Sequence, residues 1–529
     1  MAQLDIDAFL QRSKKAFQER DQNRSLYEDC YDYMLPYRNT FNTDQGANNN
    51  KSFNRPTKQY DSTAMIAASN FVNTMQANFT PVFTRWAELK AGPGIPEGER
   101  AKMNKSLSDL TNIIFSYLNA SNFSTASAEM YHDWGIGTGA LWLFEGDEQQ
   151  PLNFLASPMS QMGLVEGRFG SVDSRFRQHK PKGRLIEATW PNDKITLPSQ
   201  LRQQINDKPD DEIELIEGCY YDYDDFVWRY EVVHEPTKSV LLAKEYTEEI
   251  CFTPRWLKVP GFASGIGPFV MALLDVKTLN KIKEFMLRGA ALNIFGVYTV
   301  ANNGVFNPNV ATLSPASFIP VERNGGPNGP TIAALPRTGD FQVQDFIIED
   351  LKDSIKKIML DTKLPEETAQ PKTAFEIAQR IKEFQVDIGS SYGRAMFEYV
   401  QPMFKRIIAI LKKKGLIQLP EGFEIDNFFV QVQVVSPIAQ TQAMEDVQRL
   451  MQNMAMVGQI SPELVMTNYE VEKLPQYLAE KTGPADLLRD PADAEALQQM
   501  AVKLVAQSMM AQQQKGAPAN AQPATVPGT

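Results

Sequence analysis

The chain has 529 residues, 43% of them hydrophobic and 22% charged, with a formal net charge of −11. That is enough to bury a large core in several domains or one elaborate one, and it argues against a chain built to grip nucleic acid by its phosphates. No apolar run reaches the roughly 18 residues of a membrane helix, and Met1–Leu10 carries Asp5 and Asp7 where a signal peptide would be basic, so a soluble, unsecreted protein is expected.

Asp7 to Met34 has Phe9, Ala16, Phe17, Tyr27 and Tyr31 at helical spacing, ending near Pro36, and the polar stretch from Thr40 to Pro56 reads as a loop. Asp61 to Asn78 is helical again, residues 91–99 read as a linker, and a helix is expected over Ala101 to Asn119. The run Gly135-Ile136-Gly137-Thr138-Gly139 invites a dinucleotide-loop reading. It sits between a helical pattern and the strand-like Ala140 to Phe144, the reverse of the strand-then-helix order that motif needs, so it reads as a tight helix-to-strand turn. From Leu152 to Val259 short strands follow one another through hairpin-length turns. Asp222, Asp224 and Asp225, with His179 and His234, could be drawn as a metal cluster, but carboxylates alternating with Tyr221 and Tyr223 mark a solvent face. Cys30, Cys219 and Cys251 are isolated in sequence and predict free, mostly buried thiols in a reducing compartment.

A second important helix is predicted from Leu273 to about Ile294 and a third from Asp345 to about Asp361. Between them, residues 301–339 break all periodicity, yet Val297–Val300, Phe318-Ile319 and Thr331–Ala333 are apolar enough for short strands, so a small module on two helical legs is expected. Leu364 to Lys372 is a loop between Pro365 and Pro371 that bears Glu366 and Glu367. The next run, Thr373 to Gly415, is one amphipathic helix of about 60 Å. Thr373 and Glu376 form a capping box, Gly415 closes it, and Gly389, Gly393 and Pro402 predict a kink in mid-helix or just before the proline. It holds eight Lys or Arg against four Asp or Glu, which by itself describes a solvated face more readily than a path for DNA. A strand over Phe428–Val435 leads to Ser436-Pro437 and more helices, 438–457 and two capped by Ser461-Pro462 and Asp490-Pro491; residues 514–529 read as a disordered tail. Eight of the 21 methionines lie between 437 and 513, which suits an adaptable packed surface.

The ordered combination of Thr373-Ala374-Phe375-Glu376 with Arg380, the long interrupted helix, and then VVSPIAQTQ before further helices resembles the portal, or head-to-tail connector, proteins of short-tailed bacteriophages. The likeness extends loosely over nearly the whole chain. The resemblance implies an α+β portal-type fold: a wing from residues 1–262 and 373–436, with the β-rich region and the long helix, stem helices over 263–294 and 342–363, a small α/β clip at 295–341, a tunnel loop at 364–372, and a helical crown at 437–513. It implies no catalysis and no cofactor. It also implies a ring of about twelve copies at the head–tail junction of the virion, assembled in the host cytoplasm, with double-stranded DNA passing non-specifically through the channel. The implied partners are the terminase motor, tail adaptor and capsid or scaffold proteins, and no membrane. In that picture Lys363, Pro365, Glu366, Glu367, Pro371 and Lys372 face the DNA. The rivals are another virion structural protein, such as an internal core or tail component, and a packaging nuclease or ATPase. The latter requires a phosphate-cradling G-x-x-x-x-G-K-[ST] loop or a convergent carboxylate set, and no segment matches that loop.

Overall fold

The computed structural model describes residues 6–38, 59–190, 195–295, 298–300, 332–334, 341–361, 388–418, 430–434, 437–460, 474 and 477–478. The chain divides into two units, residues 1–86 with 113–419, and residues 87–112 with 420–529. The expected loop at 40–56, Phe318-Ile319, the caps at Ser461-Pro462 and Asp490-Pro491, and the tail at 514–529 lie outside the described residues.

Chain order runs α1 (Ile6–Gln22), α2 (Arg24–Met34), α3 (Thr63–Asn78), β1 (Ala87–Ala91), α4 (Glu97–Ala120) and α5 (Phe123–Ile136). The strands β2 (Leu141–Glu145) and β3 (Leu152–Ala156) form a hairpin, with Leu141 opposite Ala156 and Glu145 opposite Leu152. Next come β4 (Met162–Glu166) and β5 (Val172–His179), the short helices α6 (Gly183–Thr189) and α7 (Ser199–Asp207), then β6 (Leu215–Asp222), β7 (Val227–His234) and β8 (Ser239–Tyr246). Strands β4 to β8 pair antiparallel in sequence order, a five-stranded meander. The expectation of strands linked only by hairpin turns is therefore corrected at 180–214. There seven- and nine-residue helices cross one face, and Ile186, Trp190 and Leu201 pack on Leu215, Cys219, Tyr230 and Val232.

Alternation along β6 sends Leu215 and Cys219 to that face and Ile216 and Tyr220 to the other. The second face is covered by α1, whose Phe9, Ala16 and Phe17 share one helical stripe. The ring of Phe9 lies over Gly218 so closely that a Cβ there would stand 2.4 Å from it.

The helix-to-strand reading of Gly135 to Gly139 holds: α5 ends at Ile136 and β2 follows. The reason for the glycines is close approach. Gly137 lies against β11 (Gly265–Ile266), which pairs with β10 (Leu257–Lys258); a Cβ on Gly137 would meet the Gly265 carbonyl oxygen at 2.1 Å. Nearby β9 (Cys251–Phe252) adds to β2. An aromatic chain links these parts: Phe71 meets Trp256 and Phe269 at 5.5 and 5.2 Å, and Trp256 meets Trp134 at 4.9 Å. The three cysteines are free and buried, as expected. Burial lifts the Cys30 thiol to about 12 and the Cys219 thiol to about 11.

Helix α8 (Pro268–Phe295) begins earlier than expected, and α9 (Phe341–Ile358) packs on it, with the Ser354 hydroxyl donating to Asp275 at 2.9 Å. The short strands anticipated at their ends are β12 (Tyr298–Val300) and β13 (Ile332–Ala334), an antiparallel pair.

In the second unit, β1 pairs antiparallel with β14 (Val430–Val434), Leu89 opposite Val432. The linker expected over 91–99 is corrected: Ala91 closes this strand, α4 starts at Glu97, and only five residues separate them. Asn104 accepts from the Ala91 amide at 2.8 Å, and Thr111 accepts from Leu89 at 3.2 Å. A further helix runs Pro437–Ile460 from the expected Pro437 start. Among the described residues no helix is long and apolar enough to cross a membrane.

Candidate functional site

Residues 388–395 are helical, Met396–Val400 form a π turn, and α10 continues as Gln401–Lys413. The interruption expected just before Pro402 thus takes the form of a widened turn. Proline has no N–H, and its ring collides with the carbonyl four residues back. Here the Gln401 amide donates to Met396, five residues earlier, and the extra residue opens the turn. The helix ends as predicted. Gly415 sits at φ 69°, its amide donates to Lys412 and that of Leu416 to Leu411, which is a Schellman closure. Gly389 and Gly393 leave open space where a side chain would stand.

The π turn turns Tyr399 and Val400 inward and leaves Phe397 68% exposed. Phe397 and Glu398 form one wall of a pocket of about 370 Å³ at the end of the meander. The opposite walls are Tyr221, Tyr223 and Trp228, with Tyr221 5.0 Å from Tyr223 and 5.2 Å from Trp228, and Phe169 at the rim. The hairpin register that puts Tyr221 opposite Trp228 builds this aromatic side. Phe169 is fully exposed in a left-handed backbone at φ 55°.

At the base lies a polar set. Arg175, 4% exposed, donates from Nε to the Thr253 hydroxyl at 3.0 Å, pairs with Glu249, and lies 5.1 Å over the Trp228 ring. Its Nη1 is buried with no hydrogen-bond partner. Burial lifts the Glu249 carboxyl to about 7, against the pull of Arg175. Glu398 accepts from the Arg255 amide at 2.9 Å and from its Nε at 3.1 Å, while Arg255 Nη2 donates to the Gly170 carbonyl at 2.9 Å. The π turn is thereby tied to both loops that border the pocket. The hollow is thus walled by aromatic rings and floored by ion-paired side chains.

Three cations at the described end of the long helix work within the subunit. Arg406, 4% exposed, reaches Glu145 at 3.3 Å and lies 4.1 Å over the Tyr246 ring. Lys413 pairs with Glu145 at 2.8 Å, and Lys414 donates to the carbonyls of Gly146 and Asp147. These three cations hold the β2–β3 hairpin. Asp222, Asp224 and Asp225 form a turn: the Asp224 amide donates to Asp222 at 2.9 Å, and Arg229 pairs with Asp222 and Asp225. Burial lowers His179 to about 4, so it is neutral beside Glu217, and His234 bonds Thr237 at 2.7 Å. Among the described residues no group of three or more His, Cys, Asp or Glu side chains could hold a metal ion.

Of the residues singled out in sequence, Gly389, Gly393 and Pro402 are placed on the long helix. Lys363, Pro365, Glu366, Glu367, Pro371, Lys372, Thr373, Glu376 and Arg380 lie outside the described residues. The pocket was not foreseen, because its walls come from four distant segments. The local signals were a glutamate four residues before a mid-helix proline and the aromatic alternation Tyr221, Tyr223.

A family profile described as bacteriophage head to tail connecting protein matches residues 7–488. Similar solved chains come from the virion of a native gene transfer agent particle and from the neck of an empty gene transfer agent particle. The first is 9% identical, with 76% of this chain and 86% of that chain covered and a TM-score of 0.35. The second is 9% identical over 75% and 86%, with a TM-score of 0.32. No curated protein sequence matches the chain.

Proposed function

The chain belongs to the bacteriophage head-to-tail connecting proteins, and from that premise we propose that it is the portal: a ring of about twelve copies at one capsid vertex. The genome enters and leaves through its axis, and the terminase motor and later the tail proteins dock on it. The observation that carries this reading is the length of the family match, which spans residues 7–488 and so includes every element described above. In this reading α8 and α9 are the stem, the segment from 295 to 341 the clip, the meander with the long helix the wing, and 437–513 the crown. Lys363, Pro365, Glu366, Glu367, Pro371 and Lys372 line the narrowest part of the channel, where repeated glutamates repel phosphates and the lysines at the base steady them. The subunit itself performs no catalysis; the ATPase that drives packaging is another protein.

Negative-stain imaging of the purified chain tests the proposal. Closed rings with an open axial hole are expected. Filaments, or compact particles without a hole, would point to an internal core or tail component instead.

A further inference from the structure

We propose that α1 is a pH-dependent clasp: its first turns close over the Glu231 side chain while that carboxyl is neutral and loosen from the meander when it ionises. The device acts within one subunit, whatever the chain assembles into. Three observations carry it.

The first is where Glu231 stands. It is 2% exposed on β7, paired across to Gly218 of β6 and to Ala243 of β8. Val233, two residues on, belongs to the apolar set beneath α1, so alternation turns Glu231 to that face as well. Its neighbours on the adjoining strands offer no side chain larger than a methyl group. Directly paired residues stand about 5 Å apart, so the Phe9 ring that presses on Gly218 is the roof beside the carboxyl.

The second is that the carboxyl is incompletely paired. The Tyr220 hydroxyl bonds it, yet Oε2 is buried with no hydrogen-bond partner. The cations around it are engaged elsewhere. Arg229, on the same strand, pairs with Asp222 and Asp225 and stands 3.7 Å from Glu245 of β8, and Arg12 of α1 lies over the Tyr220 ring at 5.3 Å. Burial raises the carboxyl to about 7, against the pull of Tyr220, Arg229 and Arg12.

The third is that this half of α1 is lightly held. Toward the other end, Arg20 donates to the Ser160 carbonyl at 2.6 Å. The first turn is tied by Asp7 to Lys238 at 2.9 Å, a pair whose side chains are 70% and 66% exposed and which is therefore weak. Phe9, with Ile6 and Leu10, supplies the grip there.

A neutral carboxyl tolerates such a roof, and an ionised one with a bare oxygen does not. Opening returns the group to its exposed value near 4.5, so the closed state is fully favoured below that pH. It weakens about tenfold per pH unit as pH rises toward 7 and levels off above it. Opening uncovers Phe176, Ile216 and Val233.

Hydrogen exchange of the full chain, read by mass spectrometry and corrected for the intrinsic effect of pH on exchange, tests the clasp. The amides of residues 10–16 are expected to open more often than those of β6 at pH 7.5, and their opening constant to rise at least tenfold between pH 5 and pH 7.5. Glu231→Gln and Glu231→Leu should each keep that constant level over the same range. A wild-type constant that ignores pH, α1 amides that open no more often than β6 at pH 7.5, or a rise in the two variants equal to the wild type's would each overturn the proposal.

Discussion

Truncating Glu398 to alanine removes the carboxylate that joins the π turn to Arg255. Arg255 is 2% exposed, and its amide and Nε both donate to Glu398. With the partner gone, a guanidinium stays buried with the Gly170 carbonyl as its remaining acceptor at 2.9 Å. Breaking one side of a buried pair costs about 3–5 kcal/mol, and Glu398 keeps some contact with solvent, so about 3 kcal/mol is expected. That is a large share of the roughly 5–15 kcal/mol that holds a domain together. Urea unfolding followed by tryptophan emission reads the loss, because Trp256 follows Arg255 in the chain and packs on Trp134. Replacing both partners with apolar residues of similar size, Arg255→Met with Glu398→Leu, should recover part of the loss, since no charge is then stranded although the main-chain amide at 255 and the Gly170 carbonyl lose their partners. A loss below about 1 kcal/mol for Glu398→Ala, or a double variant no better than the single, would refute the view that this pair is a buried tie.

Gly137→Ala should destabilise by about 2 kcal/mol or more, because the methyl group must displace the main chain at Gly265; thermal melting checks it. Phe226→Gly should stabilise the isolated subunit by about 1 kcal/mol by relieving the left-handed backbone, again by melting. Burial raises the Glu231 carboxyl to about 7, so its contribution to stability is full below its unfolded value near 4.5 and is lost as pH rises through about 7. In Glu231→Gln the decline should be shallower across this window, the remainder belonging to Glu249, whose carboxyl burial also raises to about 7. Exchanging Glu366 and Glu367 for lysine should leave rings intact but impair packaging or genome retention in assembled particles; unchanged behaviour in both would remove the loop from the DNA path.

Much of this architecture can be read from spacing alone. The stripe Phe9, Ala16, Phe17 and the apolar positions of α8 and α9 state their burial through helical period, and Gly415 states its role through the one backbone geometry that favours it. The errors share one cause, which is competition between short signals. Residues 91–99 read as a linker because Gly92-Pro93, Gly94 and Pro96 dominate them, although Ala91 closes a strand that β14 completes and Glu97 opens α4. Helix α6 spans only seven residues, too few for periodicity to outweigh the strands around it. The pocket belongs to a different category. Tyr221, Arg175, Thr253 and Glu398 meet only through tertiary pairing, and no window along the chain contains more than a fragment of the set.

The two-stranded ladder at the far ends of α8 and α9 has a consequence for how such a chain can change. Val300 faces Ile332 across an antiparallel pair, and such partners stand about 5 Å apart. The intervening chain therefore departs and returns at almost one point in space, as an insert does at a graft site. Its length can vary at small entropic cost, and one insert can be exchanged for another without moving either helix. The sequence between the two strands can therefore diverge between lineages while the supporting helices stay fixed.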